Sequence, residues 1–303
     1  MQVLIEEFLN YLKVQKNYSI NTITNYQRDL LLFNEYLEKE SLSFNDLEYQ
    51  DIRLFYSYMD SKNYNKSTIC RILSSIRSFY KYLSRNGYVK SNIFKYATNP
   101  KKDKLLPKFL YEDQLEELFS IPDLNTALGI RDRLILELLY STGVRVSELV
   151  SLKVNDFNYD DMSIKVLGKG NKERIVYFDD YTLEYLNMYL SKRYQLLKDK
   201  EDTNYLLLNK NGTSLTDRGV RLIIDNIMKK STINEKISPH VIRHTFATNL
   251  LNEGCDITTV QELLGHESLR ATQVYTHVTN DRLKDVYLKT HPRNKKRIDE
   301  NEL

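Results

Sequence analysis

The chain has 303 residues, 41% of them hydrophobic and 28% charged, with a net charge of +3; this is enough for about two ordinary packed domains. No apolar run approaches the ~18–20 residues of a membrane span, and Glu6 and Glu7 interrupt the first apolar stretch, so neither a span nor a secretory signal is expected. Cys70 and Cys255 stand far apart with no CxxC partner, which excludes a disulfide scaffold and a cysteine zinc site and points to a reducing cytoplasm.

The N-terminal part reads as four amphipathic helices. Val3, Leu4, Phe8, Tyr11 and Leu12 repeat at helical spacing. Asn21 or Thr22 is the expected cap of a second helix carrying Tyr26, Leu30, Phe33 and Leu37. Asn45 is the expected start of a third, with Ile52, Phe55 and Met59. Ser67 is the expected start of a fourth, with Ile69, Ile72, Ile76, Phe79 and Leu83, ending at Asn86-Gly87. The segment 97–108, with two Pro and four Lys, breaks the periodicity and reads as a linker between domains at 1–96 and 109–303. Residues 1–100 carry 13 Lys and Arg against 10 Asp and Glu, so this half and the linker are basic, as suits a polyanion partner or simply a solvated lysine-rich surface.

Helical patterns resume at Tyr111 and at Gly129–Tyr140. Ser163–Leu167 and Arg174–Phe178 read as two strands of a hairpin joined across Gly168-Lys169-Gly170. Beyond Asp179 the chain is again helical, with Ser238-Pro239 and Asp256 as helix starts. The fold class expected is mainly α: a four-helix N-terminal domain and a mostly helical second domain holding a small β-hairpin.

With 23 tyrosines and only nine glycines, a single Tyr carries little weight and the glycines carry more. Four of the nine glycines lie within two residues of one particular set of basic groups: Gly143 near Arg145, Gly168 and Gly170 around Lys169, and Gly265 before His266. Glu148 follows Arg145 by one helical turn and can hold its guanidinium. Lys169 at a glycine-flanked tip can approach a ligand closely. His240 and Arg243 stand near a helix N-terminus, where the dipole and free amides favour phosphate. His240 and His244 have the i,i+4 spacing of a zinc pair, but there is no HExxH glutamate and an Arg stands beside them, so no metal is expected. Taken singly, each group is as readily a surface ion pair, a charged turn or a packing residue.

Together the order Arg145, Lys169, His240-x-x-Arg243, Gly265-His266 and Tyr275, carried by STGVRVSEL, GKGNKER, HVIRHTFAT, LLGH and VYTHV, resembles the tyrosine recombinase family. Within it the likeness is to the Xer branch, in particular to its XerD and XerA types. The resemblance implies a core-binding domain at 1–96 and a catalytic domain at 109–303 that clamp double-stranded DNA, with no cofactor. Tyr275 would be the nucleophile, forming a 3′-phosphotyrosyl bond. Arg145 and Arg243 would hold the phosphate, His240 would be the base, His266 a further donor, Lys169 the acid, and Glu148 the support of Arg145.

Tyr287, at helical spacing with Leu283, reads as packing. The implied assembly is a cyclic homo- or heterotetramer on two sites with inverted-repeat half-sites. The C-terminal helix 280–288 would dock into the neighbouring protomer or pack on its own domain. A paralogous recombinase and a septal DNA translocase are possible partners. Resolution of chromosome dimers is the expected role; an integrase of a mobile element is the alternative, although Met1 opens directly into the first helix without an added arm-binding domain. A non-catalytic DNA-binding protein of the same fold is a third reading, against which every catalytic position is filled.

Overall fold

The computed structural model describes residues 1–101, 108–168, 172–198, 200–265 and 276–294, with 276–281 described by backbone alone. The chain divides into two compact units, Met1–Leu105 and Leu106–Leu303.

The first unit holds α1 (Gln2–Val14), α2 (Ile20–Lys39), α3 (Tyr49–Ser61) and α4 (Lys66–Arg85), then a 3-10 turn at Ile93–Tyr96. Helices α2, α3 and α4 each start a few residues from where the sequence placed their caps. Ser19, not Asn21 or Thr22, caps α2 by accepting from the Thr22 amide. Glu48 caps α3 in a reciprocal box with Asp51, so Asn45 lies outside it. Asn65 caps α4 by accepting from the Thr68 amide. Polar residues crowd each helix start, and the chain uses the one whose extended backbone aims its oxygen at the free amides. Phe8, Phe33, Phe55, Phe79, Tyr80 and Phe94 fill the interior, with Phe33 and Phe94 edge-to-face at 5.5 Å. The buried Asp29 is satisfied by Arg71 and by the Ser75 hydroxyl.

The second unit is built around α6. Its elements are α5 (Glu112–Ser120), α6 (Ala127–Thr142), α7 (Val146–Ser151), a 3-10 turn at Val154–Asp156, β1 (Phe157–Asn158), β2 (Ser163–Leu167), β3 (Glu173–Tyr177), α8 (Asp180–Leu197), α9 (Asp217–Met228), α10 (Pro239–Asn252), α11 (Ile257–Leu264) and α12 (Thr276–Thr290). Nearly every residue of α6 is buried, because α8 and α10 pack against it. This explains why its apolar pattern has no clean polar face. The three strands are antiparallel in the order β1-β2-β3, and β3 starts one residue earlier than the sequence reading. Val166 pairs with Arg174 and Ile164 with Val176, so these four share one face of the hairpin; Ile164, Val166 and Val176 are buried there.

Leu283 and Tyr287 on α12 are buried in one cluster with Phe246, Leu250, Val260 and Leu263. The apolar face of α12 is thus covered by its own domain in this single chain. Past α12, Arg293 pairs with the buried Glu137 and lies over the rings of Phe119 and Tyr140 at 4.4 and 4.9 Å. His291 is wholly buried beside Tyr140 and Tyr287, and burial pushes its pKa down to about 4, so it is neutral.

Candidate active site

Two helix ends built by glycines frame the site. Gly143 closes α6 at φ +60°, and Gly265 closes α11 at φ +64°. Both are left-handed conformations that cost a side-chain-bearing residue about 1 kcal/mol or more. Space forbids a side chain as well. A Cβ at position 143 would stand 2.5 Å from the Phe246 ring, and one at 265 would stand 2.9 Å from the Arg174 Cδ and Nε. Gly143→Ala is expected to destabilise the second unit by roughly 1–3 kcal/mol, seen as a melting point several degrees lower. An unchanged thermal midpoint would contradict this account of the turn.

Arg145 is the N-cap of α7, and Glu148 is its N3 residue. Arg145 donates to the Glu148 carboxylate from its backbone N–H (2.7 Å) and from Nη1 (2.8 Å), and its Nη2 donates to the Gly265 carbonyl at 3.1 Å. Arg243, one turn into α10, donates to the carbonyls of Gly143 and, at 2.6 Å, of Leu264. The two guanidiniums therefore converge on the same pair of helix ends, with adjacent carbonyls of the α11 terminus taking one bond from each. Burial, then the nearby charges of Arg145 and Arg174, push the Arg243 pKa down to about 10, so it stays protonated at neutral pH but under repulsion.

Arg174, which the sequence reading passed over, is the third guanidinium of this cluster. It grips Glu148 with two parallel bonds, Nη1 to Oε1 at 2.7 Å and Nη2 to Oε2 at 2.8 Å. Strand alternation held the signal, since Arg174 falls on the same face as Val176. Burial opposes the charge on Glu148, whose side chain is only 3% exposed, yet the hydrogen bonds from Arg174 and Arg145 outweigh it and hold the carboxyl below its usual range.

His240, in the first turn of α10 behind the Ser238 cap, is exposed. Lys169, His266 and Tyr275 lie outside the described residues. Among the described residues, no group of three or more His, Cys, Asp or Glu gathers as a metal site, and no helix is long and apolar enough to cross a membrane. Among the described residues, three arginines against one carboxylate leave a concentrated positive charge at two helix ends, an arrangement suited to phosphate chemistry.

Residues 108–282 match the phage integrase family, and residues 5–87 match the phage integrase N-terminal SAM-like domain. The tyrosine recombinase XerC of Staphylococcus haemolyticus is 43% identical over 98% of this chain and 99% of its own length. A Staphylococcus aureus XerC is 44% identical over the whole of both chains. Among solved structures, the XerH site-specific recombinase bound to a palindromic difH substrate in a post-cleavage complex superposes with a TM-score of 0.70 at 26% identity, covering 94% of this chain and 83% of that one. The chain belongs to the phage integrase family and is a tyrosine recombinase of its Xer branch. The two full-length relatives named above carry the XerC name rather than the XerD or XerA suggested by the motifs; the branch is the same.

Proposed function

We propose that this enzyme exchanges DNA strands at a chromosomal site made of two inverted half-sites, and so resolves chromosome dimers. The observation that carries the reading is the excess of guanidinium charge around Glu148 among the described residues, which a bound phosphate would balance. In the proposed reaction the Tyr275 oxygen attacks the scissile phosphorus. The bond from phosphorus to the tyrosyl oxygen forms while the bond to the 5′ oxygen breaks, leaving the 3′ end on the enzyme. His240 takes the phenolic proton, since a phenol of pKa ~10 is a weak nucleophile at neutral pH. Arg145 and Arg243 stabilise the non-bridging oxygens, with His266 as a further donor. Lys169 gives a proton to the leaving 5′ oxygen. The partner strand's 5′-hydroxyl then reverses the step, so the bond energy is kept in the phosphotyrosyl link.

The helical unit of α1–α4 is the proposed core-binding domain, and each unit is proposed to contact the duplex. Four protomers in a cyclic arrangement serve two duplexes. A paralogous recombinase and a septal DNA translocase are further proposed partners, and the substrate sets the compartment as the cytoplasm. Full-length likeness to XerC relatives supports the chromosomal role over that of a mobile-element integrase.

The test uses a nicked suicide duplex built on the inverted repeat nearest the replication terminus of the source genome. A protein–DNA adduct that survives denaturing electrophoresis is expected; none at any such repeat would overturn the site assignment. On the same duplex, Lys169→Ala is expected to slow cleavage by about 10²–10⁴-fold, the range of general acid catalysis. A bridging 5′-sulfur should largely abolish that defect, because a thiolate leaves without a proton. Lys172→Ala should show no such rescue and at most a modest, salt-sensitive loss of binding. Equal Lys169→Ala defects on oxygen and sulfur would remove it from the acid role.

A further inference from the structure

We propose that Arg174 is a positioning residue of the strand-transfer reaction, saturating the Glu148 carboxylate so that Arg145 keeps its charge and its fork for the phosphate. The inference rests on the phosphate-clamp reading above.

An ionised carboxylate offers about four acceptor positions. Glu148 has four donors: the two Nη groups of Arg174, and the amide and Nη1 of Arg145. The order of occupation matters. Arg174 takes the bidentate grip, and Arg145 is left with a single side-chain bond to the carboxylate. A planar guanidinium beside a carboxylate with free positions turns to engage both oxygens. Without Arg174, Arg145 is the nearest donor to a buried anion and would be drawn into that grip. It would then be neutralised and turned from the ligand. With Arg174 present, Arg145 keeps 37% of its side chain exposed while Glu148 stays buried.

The cost of this arrangement marks it as more than a fold element. Arg174 adds repulsion to Arg243, and its own Nε–H is buried without a partner, a rare state for a structural side chain. A well-packed apolar residue facing inward beside Val176 would avoid both penalties. The surroundings are also fitted to this side chain: Gly265 leaves the space that the Arg174 Cδ and Nε occupy. Arg174 thus ties the hairpin strand to the α6–α7 junction and to the end of α11, the three places from which the phosphate is addressed.

Arg174→Met keeps the apolar stem and removes the charge. Single-turnover adduct formation at saturating DNA is expected to fall about 10²-fold, the scale of losing one preorganised donor, while affinity for the duplex changes less than about threefold, because most of it comes from phosphate contacts elsewhere. Arg174→Lys, which keeps charge without the fork, should recover part of the rate and serves as the folding control. The decisive variant adds Glu148→Gln to Arg174→Met. With the carboxylate charge gone, Arg145 is released, and the double variant should react about tenfold faster than Arg174→Met alone.

A readout without chemistry separates this proposal from the recombinase reading. Sulfate should raise the melting temperature of the wild type more than that of Arg174→Met, and the double variant should regain the larger shift. If the wild type forms no adduct, the reaction assignment fails while the sulfate series still judges Arg174. Additive losses in the double variant, or equal sulfate shifts in wild type and Arg174→Met, would overturn the positioning role.

Discussion

Tyr275→Phe is expected to bind the duplex with near-normal affinity and to form no covalent adduct at all. The chain has 23 tyrosines, so the assignment needs a physical reason beyond the residue type. A nucleophilic phenol must approach the anionic form, and burial in an apolar setting opposes that. The nearest rival, Tyr287, is wholly buried in α12 and its pKa is raised well above the ordinary value by burial and by Asp179. Tyr140 and Tyr189 are likewise raised by burial. Tyr275 follows Gly265-His266 by nine residues and is flanked by Thr272, Gln273 and Thr276. The comparison is direct: the wild type, Tyr275→Phe and Tyr287→Phe are incubated with the same suicide duplex and run under denaturing conditions. A band from Tyr287→Phe alongside the wild type is the expected pattern. A band from Tyr275→Phe would end the assignment.

Arg243→Ala should carry the next largest loss, about 10³–10⁵-fold in cleavage rate, the range in which a guanidinium stabilises phosphoryl-transfer charge. Arg243 is 7% exposed and fixed by two carbonyls, so it is oriented before any ligand enters. Burial first, and then repulsion from Arg145 and Arg174, pushes its pKa down to about 10. An entering phosphate relieves that repulsion, and the relief is greatest as charge builds on the non-bridging oxygens. Alanine also strands the carbonyls of Gly143 and Leu264, so part of any defect would be one of stability. Arg243→Lys separates the two effects. It keeps the charge but cannot span both carbonyls and a phosphate, so it should melt near the wild type and still cleave at least about a hundredfold slower. A folded Arg243→Ala protein within tenfold of wild-type rate would exclude the clamp.

Local spacing encodes the first layer of this structure. The apolar repeats specify four N-terminal helices, alternation specifies the hairpin, and Arg145 lies one helical turn from Glu148, so their pairing is legible in the sequence. Exact helix starts were less legible: Ser19, Glu48 and Asn65 won over equally polar neighbours because a cap is chosen by backbone direction, which residue type does not fix. The remaining contacts of the site join residues distant in the chain. Arg174 meets Glu148 across 26 residues, Arg145 meets Gly265 across 120, and Arg243 meets Gly143 across 100. Such contacts depend on how the hairpin, α10 and α11 pack around α6, and no periodicity reports that. The apolar stripe of α12 was equally visible, but a stripe says only that something must cover it. Phe246, Leu250, Val260 and Leu263 of the same domain do so, because they present a matching apolar surface within reach of the same chain.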